Sequence, residues 1–110
     1  MSRNAVEQYA RGIGLIDYAI KGLTPEQLRS HPGPGDWSVA QVVVHLMDSD
    51  LVAADRMKRV IAEDNPTLLA YDENKWAKHL SYEEQPVETA ASLFDLNRQQ
   101  MALILSRLDD

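Results

Sequence analysis

Apolar residues recur at helical spacing along three long stretches of the chain. In the first, Val6, Tyr9, Ile13, Ile16, Ile20 and Leu23 follow one another at intervals of three and four. That spacing predicts a helix from about Ser2 to Gly22 with a single apolar stripe. The second stretch begins at Ser38 and is apolar nearly all round at its start. Val42, Val43, Val44, Leu46, Met47, Leu51, Val52, Ala53 and Ala54 surround much of its axis. A helix over Ser38 to about Glu63 would be roughly 39 Å long at 1.5 Å per residue. In the third, Val87, Ala90, Phe94, Met101, Ile104 and Leu108 keep the interval from about Pro86 to Leu108, interrupted by Asn97 and Arg98. No alternating strand pattern, internal repeat or low-complexity segment is visible.

Start and stop signals sharpen this reading. Pro32, Gly33, Pro34 and Gly35 form a turn that can be neither helix nor central strand. Ser38 follows as an N-cap with Gln41 three residues on, a capping-box pattern, while Trp37 and Val42 can form a hydrophobic staple. Asn65 and Pro66 stop the helix. Thr24-Pro25-Glu26-Gln27 is a second capping box and predicts a short helix from Pro25 to about Ser30. Asp72 can cap another short helix, packed down by Trp76. Gly12 and Gly14 each cost roughly 1 kcal/mol inside a helix. With no strand before them they read as a close approach by a neighbouring helix rather than a phosphate loop.

Three long amphipathic helices in one domain, residues 1–110, predict an all-α, up-down bundle. The second helix is apolar on more faces than two neighbours can cover, so either a fourth helix or a second copy of the chain is expected against it.

Composition narrows the function. Hydrophobic residues make up 45% of the 110 positions, enough for a packed core, and aromatics only 6%, so that core rests on Leu, Ile, Val, Ala and Met. The absence of cysteine excludes disulfides, thiolate metal sites and a cysteine nucleophile, and fits a cytoplasmic location. A net charge of −6 with both signs interspersed argues against nucleic-acid and anionic-membrane partners. No apolar run approaches the ~20 residues of a membrane span, and the N-terminus lacks the apolar stretch of a signal peptide.

The candidate chemistry lies on the second helix. Gln41, His45, Asp48, Val52 and Asp55 fall on one line at intervals of three and four. Two readings stand. The line faces solvent and His45 is ordinary, or it faces the bundle interior and His45 ligates a divalent metal. In the second case Asp48 is a weak further ligand or an acceptor that orients an imidazole. Spacing does not choose between them. His31, beside Pro32, is expected in solvent. His79, near the end of a short helix, is favourable with its dipole. The serines have no base at motif spacing, and the adjacent Glu83 and Glu84 point to different faces. Asp109-Asp110 ends a helix unfavourably for its dipole, as a truncated terminus would.

Trp37-Ser38-Val39, His45-Leu46, Asp48 and Arg56, followed by Tyr71-Asp72-Glu73, Trp76, Tyr82, Asn97-Arg98 and Leu108, resemble the DinB/YfiT-like superfamily. The single motifs are loose, but their order and spacing cover the chain from Pro32 onward. The resemblance implies a four-helix bundle, often a homodimer, with a divalent metal such as Zn or Ni held by three histidines. One ligand carries over to His45. The other two lie as His-x-x-x-His on a fourth helix, and no such motif is present here. The resemblance therefore implies a fragment whose metal site is incomplete and holds metal weakly, if at all. It further implies a metal-dependent thiol-group transferase acting on a small-molecule thiol, or an isomerase or hydrolase. Arg56 and Arg98 would pair with interior acids or contact an anionic substrate. The alternative is a non-enzymatic helical module that self-associates through its uncovered apolar surface.

Overall fold

In a computed structural model that describes residues 2–108, the chain folds into helices α1 (Arg3–Ala10), α2 (Leu15–Ile20), α3 (Pro25–Arg29), α4 (Val39–Ala62), α5 (Glu73–His79) and α6 (Val87–Ser106), with a 3-10 turn at Tyr82–Glu84. There is no strand among the described residues, and no helix is long and apolar enough to cross a membrane. The acidic pair Asp109-Asp110 lies outside the described residues.

The caps form as their chemistry dictates. Thr24 Oγ1 accepts from Gln27 N and Gln27 returns the bond. Ser38 and Gln41 do the same at the start of α4. Asp72 accepts from Lys75 N and opens α5. Trp37 forms T-shaped ring pairs with His45 and Tyr82, while Val42, its expected staple partner, stays exposed.

The continuous first helix expected over Ser2–Gly22 is broken in two. Gly14 has φ +82°, a left-handed conformation that ends helical propagation, and its N–H donates to Asp95 Oδ1 of α6 at 2.9 Å. Gly12 marks the close approach that its residue type suggests, though to a side chain. A Cβ there would lie 2.6 Å from Arg98 Nη1.

The core lies between α4 and α6. Val43, Val44 and Met47 pack with Val87, Ala90, Ala91 and Phe94, joined by Ile16, Ala77 and Tyr82. Farther along, Ala54 packs with Met101 and Leu105, and Val6 and Tyr9 of α1 cover them. The first halves of α4 and α6 thus share one cluster and their second halves the other, so these helices run in the same direction. α1 runs against both. An up-down order would alternate at every step. Here the link 63–86 carries the chain back along α4 before α6 begins, and that return builds the candidate site.

One carboxylate sits inside the core. Asp50 is 5% exposed and accepts from Arg98 Nε at 2.9 Å and Asn97 Nδ2 at 2.9 Å. Arg98 also donates to Tyr9 O at 2.9 Å, and its guanidinium lies 4.1 Å from the Tyr9 ring centroid. The break in the third apolar stripe at Asn97-Arg98 is explained by this knot, which ties α1, α4 and α6 together. Arg98 is thereby a structural partner of an interior acid. A buried charge stripped of its partner is strongly destabilising. Arg98→Met is therefore expected to lower unfolding free energy by about 3 kcal/mol in urea titrations. A change below about 0.5 kcal/mol, the scale of an ordinary surface substitution, would show that the knot does not hold the bundle.

Candidate functional site

The polar line of α4 runs away from the α6 core, with His45 partly buried and Asp55 at its far end exposed. It faces the returning link. Asp48, Val52, Asp55, Arg56 and Arg59 form the floor of a groove of about 970 Å³, roofed by residues 67–72 and closed at one end by Lys75 and Trp76. The roof is tied down at two points. Arg56 Nη2 donates to Leu69 O at 2.5 Å, and the Tyr71 hydroxyl shares a 2.9 Å hydrogen bond with Ser49 Oγ. Tyr71 also packs on Trp76, with ring centroids 4.3 Å apart.

His45 lies one turn before Asp48 on the same helix, outside the groove lining. Its side chain is 20% exposed, and its Nε2 sits 3.9 Å from Glu73 Oε1. Nδ1 is closed off from solvent with no hydrogen-bond partner. The Trp37 ring meets the imidazole edge-on at 5.3 Å. The expected pairing of an imidazole with Asp48 is not among the described hydrogen bonds. Asp48 Oδ2 instead accepts from the Tyr82 hydroxyl at 2.5 Å. Tyr82 has no exposed surface, and its ring also stands edge-on to Trp37, at 6.1 Å. Burial pushes the Tyr82 phenol far above its usual value, and the neighbouring Asp48 carboxylate pushes it further. Its hydroxyl is a fixed donor at any ordinary pH.

Glu73 and Tyr82 carry part of the family resemblance, but the sequence assigns neither of them a role at the site. Glu73 follows the Asp72 cap, which is a readable signal for its place on α5 but not for what it faces. Tyr82 belongs to no periodic stripe.

The other two histidines have different partners from those of His45. His31 is exposed, as expected, and links two segments: Nδ1 lies 2.6 Å from Asp36 O and Nε2 2.7 Å from Glu83 Oε1. Those two acceptors raise its pKa, the Asp36 carbonyl first. His79 ends α5 next to Lys78, where the helix dipole favours it.

A metal centre needs three protein ligands when catalytic and four when structural. His45 and Glu73 supply one imidazole and one carboxylate. Among the described residues, no group of three His, Cys, Asp or Glu side chains is placed to hold a metal ion. The donor set does not fit a complete site.

Residues 8–110 match the DinB superfamily. The chain belongs to that superfamily. A relative from Oceanobacillus iheyensis is 34% identical over 105 residues, covering 96% of this chain and 59% of that protein. One from Geobacillus kaustophilus is 36% identical over 92 residues, covering 84% and 52%. Both carry the name "Putative metal-dependent hydrolase". YfiT from Bacillus subtilis, described as "a probable metal-dependent hydrolase with an unusual four-helix bundle topology", superimposes with a TM-score of 0.85 at 24% identity, over all of this chain and 65% of its own. That likeness shows that this chain has the fold of that four-helix bundle. The chain thus spans between half and two thirds of the length of these proteins.

Removing the Tyr82 hydroxyl should cost about 1–2 kcal/mol, since Asp48 loses a charge-assisted bond. The raised phenol pKa sets a sign as well. Its contribution is complete below about pH 10, where the phenol of the unfolded chain is still protonated, and declines as pH rises beyond it. Denaturant titrations of Tyr82→Phe should therefore show lower stability at neutral pH and a shallower alkaline decline. An alkaline limb unchanged by the substitution would contradict this account of Tyr82.

Proposed function

We propose that this domain belongs to a metal-dependent hydrolase in which His45 is one of the metal ligands. The observation that carries the reading is His45 itself. Its imidazole is held between Trp37 and Glu73 with a sequestered nitrogen unpartnered, an arrangement that ordinary packing does not explain. The names of the relatives support hydrolysis. Nothing comparable supports thiol transfer or isomerisation.

In a complete site a divalent metal such as zinc would supply Lewis-acid chemistry. Among the described residues, Glu73 and His45 offer that metal two donors. What the chain itself does is position: Tyr82 fixes Asp48, Trp37 limits the swing of the His45 ring, and Asp72 anchors the helix that carries Glu73.

A homodimer is the assembly this reading takes. Val39, Val42 and Leu46 share one exposed face of α4, and Leu93, Leu96 and Leu103 share one of α6. These are apolar surfaces that a second copy would cover.

Zinc chloride titrated into the isotope-labelled chain, with the three imidazoles followed by NMR, tests the metal assignment. The expected result is a selective shift of the His45 ring with a Kd of about 10 μM or weaker, as an incomplete donor set requires. His45→Ala should abolish it. Shifts confined to His31 or His79, or none at millimolar zinc, would overturn the assignment. Light scattering on the same samples should give twice the 12.4 kDa chain mass. A monomer at every concentration would remove the dimer.

A further inference from the structure

We propose that the groove between α4 and residues 67–72 binds a small amphipathic carboxylate, with Arg56 as the anchor for its charge. The proposal requires no metal and no hydrolytic activity, so it stands or falls apart from the reading above.

The groove is ligand-sized, at about 970 Å³. Leu51, Val52, Leu68, Leu69 and Trp76 make its walls largely apolar. Leu69 is 77% exposed although it lies on the roof of a pocket that could cover it. Apolar walls left open to water favour an apolar ligand body.

The charges select the ligand's other end. Three acids line the groove, and each is already engaged. Asp48 accepts from Tyr82, Asp55 pairs with Arg59 at 2.9 Å, and Asp72 caps α5 through Lys75 N. Arg59 is neutralised twice, by Asp55 and by Glu63 at 3.4 Å. Lys75 is exposed and solvated. Arg56 differs from all of these. Among the described residues it has no carboxylate partner. Its one described hydrogen bond goes to the neutral Leu69 carbonyl, and its Nε is shut off from water without a partner.

A guanidinium keeps its charge at every relevant pH and presents a planar fork of donors that matches a carboxylate. Partly buried charge without a counter-ion is costly, and an anion arriving in the groove relieves that cost. Arg98 shows what a satisfied arginine looks like in this same protein, bonded to Asp50 and to a backbone carbonyl. Arg56 has the carbonyl and lacks the acid. A ligand carboxylate on the Arg56 fork would lay its hydrocarbon part along Leu51, Val52 and Trp76.

Octanoate and 1-octanol, titrated separately and followed through the Trp76 indole N–H signal, separate charge from hydrophobicity. Octanoate should bind about tenfold more tightly than octanol, the scale of one charge-assisted pair. Arg56→Gln should erase that preference. Arg56→Lys should keep part of it, because the charge remains while the fork is lost, and this variant guards against a roof that simply loosens. Equal affinity for the two probes, no binding of either at millimolar concentration, or a preference that survives Arg56→Gln would each overturn the proposal. So would its complete loss in Arg56→Lys.

Discussion

The hydrogen bond from Tyr82 to Asp48 fixes the returning link against α4, and the site depends on that seam. Tyr82 is wholly buried, and Asp48 lines the groove, so the bond joins the core to the candidate site. The Tyr82 ring braces Trp37, and Trp37 in turn meets the His45 imidazole. Through this aromatic sequence the connecting segment holds the one histidine of chemical interest in a restricted setting. Because α4 and α6 run in the same direction, a long link is needed between them, and that link becomes the wall of the site.

The two sides of α4 solve the burial of charge differently. On the α6 side Asp50 is neutralised by Arg98 and Asn97, and the knot is closed by the Tyr9 carbonyl. On the link side the polar groups are only partly matched. His45 has a sequestered nitrogen with nothing to bond, and Arg56 has a carbonyl where an anion would serve better. Unmatched polar groups lower stability, and they concentrate where a protein must meet something else. Here both lie on one helix face.

Much of the architecture was legible before the coordinates. The two capping boxes, the Asp72 cap and the extent of α4 follow from side chains that bond to their own backbone, so local sequence suffices. The break at Gly14 was not legible as a break, because a single Gly inside a helical stripe is tolerated as often as it terminates. Only the bond to Asp95, distant in sequence, decides it. The line through His45, Asp48 and Asp55 was readable as a shared face, but periodicity says nothing about which segment covers that face. Glu73 and Tyr82 reach the site through long-range packing of an irregular link. The distinction between Arg98 and Arg56 is likewise tertiary, since both read as arginines on a helix and only the placement of Asp50 separates them.

The central claim is that the Tyr82–Asp48 seam keeps the His45 ring enclosed. Diethyl pyrocarbonate modification, resolved by mass spectrometry at each histidine, tests it in the folded chain. In the native sequence His45 should react more slowly than His31, whose side chain is about twice as exposed. In Tyr82→Phe, His45 should react faster while His31 and His79 keep their rates. A His45 rate that does not change when the hydroxyl is removed would contradict the account.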